Sequence, residues 1–312
     1  MNSDRTQLPS QTTFYALSWA LVVYTVAIVL WGAWVRISGS GDGCGDHWPL
    51  CNGHIVPSSV PTKTWVEFLH RLSTGLYGIL ILVQLAMARR RFEPHHPART
   101  WSALTLLFTI TEALIGRQLV TMGLVNESVA LARVVVMPLH LVNTALLLGS
   151  TIMTAEAIKY GHIPRVDLSS TARRLLSILI GVFLILLTTG AVAALGTHLT
   201  PSLSLLAGLS KDLSSDSHLA VRLRVLHPLL ALLGPLILWG VLEKLKEAAP
   251  SPYSRRLFGR LIVTLLAAVL LGICTLLTLA PTWLKIMHLL MANVLIGMTT
   301  LCIFHTLRPS RE

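Results

Sequence analysis

Apolar residues fall along the chain in eight runs of about 20, near positions 14–37, 65–88, 101–121, 134–156, 175–196, 222–243, 257–279 and 284–306, separated by short polar stretches. At about 1.5 Å of rise per residue such a run crosses the roughly 30 Å hydrocarbon core of a bilayer, so the pattern predicts an all-α integral membrane protein with eight transmembrane helices. The first run exceeds a signal-peptide core, follows a polar start with one arginine and lacks a small-residue cleavage site, which marks it as a true span.

Composition agrees: of 312 residues, 53% are hydrophobic and 12% charged, and the mean hydropathy is +0.68. The net charge of +11 does not point to nucleic acid, because the positive residues lie mostly in short loops between apolar runs. Segments 1–13, 89–100, 157–174, 244–260 and 307–312 hold 16 of the 25 lysines and arginines. The positive-inside tendency places these segments, and with them both termini, on the cytoplasmic side of a multi-pass cell-membrane protein.

The two halves repeat. Leu69-His70 and Leu72 match Leu226-His227 and Leu229 at an offset of 157, and Gly32-Ala33 matches Gly190-Ala191 at 158. Thr105-Leu106-Leu107 matches Thr264-Leu265-Leu266 at 159, while His140-Leu141, Leu147 and Gly149 match His288-Leu289, Leu295 and Gly297 at 148. Each match is weak in leucine-rich sequence. Their common order predicts two parallel, pseudo-symmetric four-helix bundles, over residues 1–156 and 175–312, joined by a cytoplasmic linker at 157–174.

The repeat puts a histidine on the second and fourth helix of each half: His70, His140, His227 and His288. Each lies roughly four to six residues into its expected span, about 6–9 Å below the outer boundary, so the four share a level. A lone histidine in a membrane helix is commonly a packed side chain, but two pairs at one depth point to ligation. Imidazole is a common axial ligand of haem iron, and facing bundle helices are where such ligands are built. Bare zinc or copper fits less well, because each half offers two histidines and no nearby thiolate set. The four histidines are therefore expected to hold two haems.

Charge distinguishes the halves. Glu67 stands three residues before His70 on the same helical face, whereas Arg224 stands three before His227. An acid beside a haem suits proton transfer or developing positive charge; an arginine suits a propionate or a raised reduction potential. The first bundle thus reads as the reaction site and the second as an electron-carrying site, with simple pairing of Glu67 to Arg71 or His70 as the alternative. Arg36, Arg71, Arg117, Arg133, Arg222 and Arg224 lie near outer helix ends, where they either snorkel to the interface or clamp propionates. Glu112 is a further intramembrane acid with no assigned role.

The first outer loop, 38–64, is dense in turn residues and contains Cys44 and Cys51 in an oxidising space, where a disulfide is expected. It serves either as a loop staple or as a pair exchanging with an external thiol-disulfide protein. The second outer loop, 197–221, is polar and serine-rich and carries no identifiable chemistry. Cys274 and Cys302 are expected as buried thiols, and His95, His96, His162 and His305 as solvated residues.

Trp-Gly-Ala-Trp-Val-Arg-Ile-Ser-Gly-Ser-Gly at 31–41, the Cys44…Trp48-Pro49-Leu50-Cys51-Asn52-Gly53 loop, Glu67-Phe68-Leu69-His70-Arg71 and the later His140, His227 and His288 together resemble the haem A synthase family. The resemblance covers nearly the whole chain and is to the bacterial branch with a cysteine pair in the first outer loop. Some members carry a second pair in the loop corresponding to 197–221, which this chain lacks. The resemblance implies an oxidoreductase that converts the C8 methyl of haem O to a formyl group by two successive hydroxylations, the second giving a geminal diol that loses water. It implies that His70 and His140 flank the substrate haem, that Glu67 is a catalytically important acidic residue and that His227 and His288 ligate a resident haem B. Haem O synthase and oxidase assembly proteins are the implied partners. Two axial histidines block the substrate iron, so either one dissociates or the methyl is oxidised by electron removal and attack of water.

Two other readings compete. A bis-histidine dihaem electron carrier explains the histidines but gives Glu67 and the cysteine loop no role. A transporter or haem-handling chaperone predicts Gly- or Pro-broken spans, for which Pro138 and Pro235 are partial candidates. The apolar helix faces suit membrane lipid and a homo-oligomer alike.

Overall fold

The computed structural model describes residues 10–57, 61–126, 128–161, 169–249 and 251–306. In chain order the helices are α1 (Gln11–Ile37), α2 (Thr62–Arg91), α3 (Pro97–Thr121), α4 (Leu131–Tyr160), α5 (Ser170–Leu199), the short α6 (Leu205–Leu213) and α7 (Leu219–Leu223), α8 (Leu226–Glu247), α9 (Pro252–Leu277) and α10 (Thr282–Thr306). All eight predicted spans are present, and each is long and apolar enough to cross a membrane. This is a multi-pass membrane protein. Residues 1–9, 162–168 and 307–312, on which part of the expected orientation and His162 fall, lie outside the described residues.

Several helices extend up to five residues beyond the apolar runs because their first turns are capped by polar groups. Ser10, Ser169 and Ser251 accept from the N–H three residues on, each at 3.1 Å, at the starts of α1, α5 and α9. Pro97 and Pro252 occupy first-turn positions whose N–H has no partner within the helix. The sixth span departs from expectation, breaking at Arg224-Val225 between α7 and α8. Pro228 has no N–H to return to the Arg224 carbonyl, so the helical ladder is interrupted there.

In the first half, α1 and α3 each contact both α2 and α4, which closes a ring of four helices. The contacts α5–α8, α8–α9 and α9–α10 follow the same order, while α4 also lies against α5 and α10. Helix α4 is consequently enclosed on all faces toward its end, with every residue from Ser150 to Ile158 buried.

The cores differ in kind. The second half is held by a continuous apolar cluster including Leu179, Leu238, Leu242, Phe258 and Leu261. In the first, Thr25 donates to the Tyr77 hydroxyl at 2.9 Å, which also meets Thr151 at 3.3 Å, and Gln84 donates to Ser18 at 3.0 Å. Such polar pairs fix the rotation of one helix against another more sharply than leucines do.

Three expectations fail here. His305 is buried rather than solvated, with its Nε2 3.0 Å from Glu156 of α4 and the rings of Tyr160 and Tyr253 against it. His96 caps α3 by accepting from Ala98 N–H at 3.2 Å and stacks on Phe92. Cys302 is buried as expected, but Cys274 is exposed on α9.

Candidate functional site

Counted from the starts of their spans, the four histidines lie at similar positions: His70 is eight residues past Thr62, His140 nine past Leu131, His227 eight past Leu219 and His288 six past Thr282. What three of them share is a glycine. A Cβ added at Gly32 of α1, Gly190 of α5 or Gly272 of α9 would stand 3.1 Å from Cε1 of His70, His227 or His288, respectively. Each ring therefore lies against a neighbouring backbone where a side chain would crowd it. Gly32 and Gly190 are the glycines that the internal repeat matched; their role as ring seats was not read from it.

The rings of His227 and His288 lie 6.4 Å apart, centroid to centroid, at 71°. A metal stands about 2.0–2.1 Å from an imidazole nitrogen, itself about 1.2 Å from the ring centre, so two imidazoles on opposite sides of one metal have centroids roughly 6.4 Å apart. The observed ring separation matches that spacing. Thr189 lies 3.3 Å from His227 Nδ1, while Nδ1 of His70, His140 and His288 is buried without a hydrogen-bond partner. A ligating histidine ordinarily donates its other ring N–H to an acceptor, so these three Nδ1 atoms are polar groups still to be satisfied. His140 is also close enough to act electrostatically on His70, as His288 does on His227. Among the described residues no three His, Cys, Asp or Glu gather as a bare metal site.

Glu67, 3% exposed, belongs to a unit built across α2 and the cysteine loop. Its Oε2 accepts from Cys44 N–H at 2.9 Å, and its Oε1 accepts from Arg71 Nε at 3.0 Å and from a second Arg71 nitrogen. Arg71 also donates to the carbonyls of His47 at 2.6 Å and Leu50 at 2.8 Å, and Thr64 donates to the Gly43 carbonyl at 2.7 Å. Gly43 is required, since a Cβ there would lie 2.6 Å from the Lys63 carbonyl oxygen. Cys44 and Cys51 are disulfide-bonded within this unit and are 0% and 1% exposed. The expected pairing of Glu67 with Arg71 is present, and the acid also anchors the loop.

Glu112 of α3 accepts from Asn143 Nδ2 at 2.6 Å and from the Thr144 hydroxyl, and its Oε1 lies 3.5 Å from His140 Nδ1. Asn143 and Thr144 follow His140 on α4, and sequence reading missed both.

The arginines separate into three groups. Arg71 is committed to Glu67, and Arg224 to Asp212 and the carbonyls of Thr200 and Gly208, so the serine-rich loop does hold a partner for the second site. Arg117 and Arg222 are exposed. Arg133, 1% exposed, donates to Asn126 and Ser128 carbonyls but has an unpartnered Nε, and it acts electrostatically on Arg36 and His198, as Arg36 does on Lys285. Arg36, Arg133 and Lys285 come from α1, α4 and α10, and His198 from α5, where the two halves meet.

The sequence is 37% identical over 284 residues to proteins of two Thermus thermophilus strains named protoheme IX farnesyltransferase, covering 91% of this chain and 47% of theirs. It is 34% identical over 110 residues to proteins of Bacillus mycoides and Bacillus cereus named heme A synthase, covering 34% of this chain and 35% of theirs. The chain thus spans about half the length of the Thermus relatives. The sequence profile of the COX15-CtaA family, described as cytochrome oxidase assembly protein, matches residues 15–300. With eight spanning helices and that match across nearly its whole length, the chain belongs to the COX15-CtaA family of cytochrome oxidase assembly proteins, the heme A synthase family.

Proposed function

We propose that the chain is a haem A synthase that oxidises the C8 methyl of haem O to a formyl group by two successive hydroxylations. Substrate is held between His70 and His140 in residues 1–156, and a resident haem B between His227 and His288 in residues 175–312. Family membership supports the reaction class. The observation that carries the assignment of sites is the histidine seated on a glycine in both halves, together with the 6.4 Å ring separation of His227 and His288. The name of the Thermus relatives, protoheme IX farnesyltransferase, supports a farnesylated haem as the substrate class and a haem O synthase as a partner.

Bound haem B supplies one-electron redox chemistry. The chain's residues orient and stabilise. His70 and His140 set the plane of the substrate, and Glu67 stands one helical turn from His70 with its position fixed by Arg71 and Cys44 N–H. Its Oε2 accepts only that N–H, so it is the carboxylate oxygen with capacity left to hold a proton beside the substrate. Arg36 and Arg133 are the propionate partners best placed to serve both halves, because Arg71 and Arg224 already bind protein carboxylates. Burial of Cys44 and Cys51 favours a staple that holds Glu67 over a pair exchanging directly with an external thiol protein. The cysteine loop then faces outward and both termini face the cytoplasm.

Site-specific haem loss tests the assignment. A purified H227A/H288A double variant should lose haem B and keep haem O, whereas an H70A/H140A double variant should lose haem O and keep haem B. Loss of the same haem from both double variants contradicts two sites. A dihaem electron carrier would show the same pattern but leave haem O chemically unchanged.

A further inference from the structure

The geometry points to an unequal pair of ligands in the first half: we propose that Glu112 is a positioning residue that makes His140 the fixed ligand of the substrate haem and His70 the one that dissociates. This rests on the proposed function and deepens it.

Three of the four histidines back onto glycine, and the fourth does not. The Thr105 and Thr264 match, at offset 159, places Leu271 opposite Glu112 and Gly272 opposite Ala113. In the first half a carboxylate therefore stands where the second half has a leucine beside the ring seat. Its Oε1 lies 3.5 Å from His140 Nδ1, which is buried and has no closed hydrogen bond. The carboxylate is itself held by the helix that carries His140. Asn143 donates to it at 2.6 Å while bonded to the Phe108 carbonyl at 2.9 Å, and Thr111 donates to Asn143 Oδ1 at 2.7 Å. Thr144 is bonded to Glu112 and lies 2.9 Å from the His140 carbonyl, so acid and histidine are tied through one turn of α4.

A histidine that ligates through Nε2 carries its proton on Nδ1, and that N–H needs an acceptor. For His140 a small ring rotation closes the bond to Glu112. A carboxylate in that position fixes the ring and makes the imidazole a stronger donor. His70 has no such support. Its Nδ1 is buried without a partner, its ring rests on Gly32, and the acid one turn away, Glu67, is engaged by Arg71 and Cys44. The weaker bond is therefore on the His70 side, and the coordination position that opens faces Glu67 and the cysteine loop.

The test uses the full chain carrying both haems, counted and identified by mass spectrometry before any titration. E112Q should retain both haems while the reduced-to-oxidised ratio of haem O at a fixed potential rises about tenfold, ~59 mV for a one-electron couple, with E112D restoring the wild-type value. Carbon monoxide added to the reduced protein should give the same haem O spectrum in wild type and H70A, and a shifted one in H140A and E112Q. An E112Q protein that matches wild type in both measurements overturns the proposal. So does a wild-type spectrum retained by H140A instead of H70A. A wild-type chain holding one haem, lost in H227A, overturns the proposed function itself and is recognised by the haem count.

Discussion

Replacing Glu67 with Gln keeps the shape of the side chain and removes the charge that Arg71 faces. The two side chains are 5% and 13% exposed, so the pair is largely shielded from water. Removing one member of a buried pair costs about 3–5 kcal/mol, and the lower end applies here because the His47 and Leu50 carbonyls still hold Arg71. At about 1.4 kcal/mol per factor of ten, a loss of about 3 kcal/mol raises the population of opened cysteine loop roughly 100-fold. The assay is the initial rate at which dithiothreitol reduces Cys44–Cys51 in detergent-solubilised protein, read by maleimide mass shift in a C274S/C302S background. Wild type should react slowly because both cysteines are buried; E67Q should react faster by one to two orders of magnitude, and R71A likewise. Equal rates in E67Q and wild type would refute the claim that Glu67 anchors the loop.

Other outcomes follow from the same contacts. G190A and G272A should lower the haem B content of purified protein, because the new Cβ displaces a histidine ring, whereas G181A, which meets nothing within 4 Å, should not. R224A leaves Asp212 without its partner and should speed protease cleavage in the loop at 200–218, with a stability loss of about 1–3 kcal/mol read by thermal denaturation. E156Q, at the buried contact between α4 and α10, should lower the melting temperature by a comparable free energy without changing which haems are bound.

The eight spans were readable because crossing a bilayer is a property of a run's length and apolarity, independent of what it packs against. The histidine pairs were readable because repetition marks them in two halves at once, as it marks Gly32 and Gly190. The partners that set ligand strength were not readable. Glu112 meets Asn143 and Thr144 across 31 and 32 residues, and Glu156 meets His305 across 149, so each contact depends on helix rotations that a leucine-rich pattern does not specify. His305 accordingly resembled a solvated residue at a helix end. Asp212 was hidden for a related reason: a serine-rich stretch reads as featureless until α6 and Arg224 bring the acid to the site.

The most direct measurement is to express the chain in cells that make haem O but no haem A, purify it and identify the extracted haems by chromatography and mass spectrometry. Haem A or its hydroxymethyl precursor, together with haem B, is the predicted result. Only unmodified haem, with an electron donor present, would contradict the synthase and remove Glu67 from the reaction.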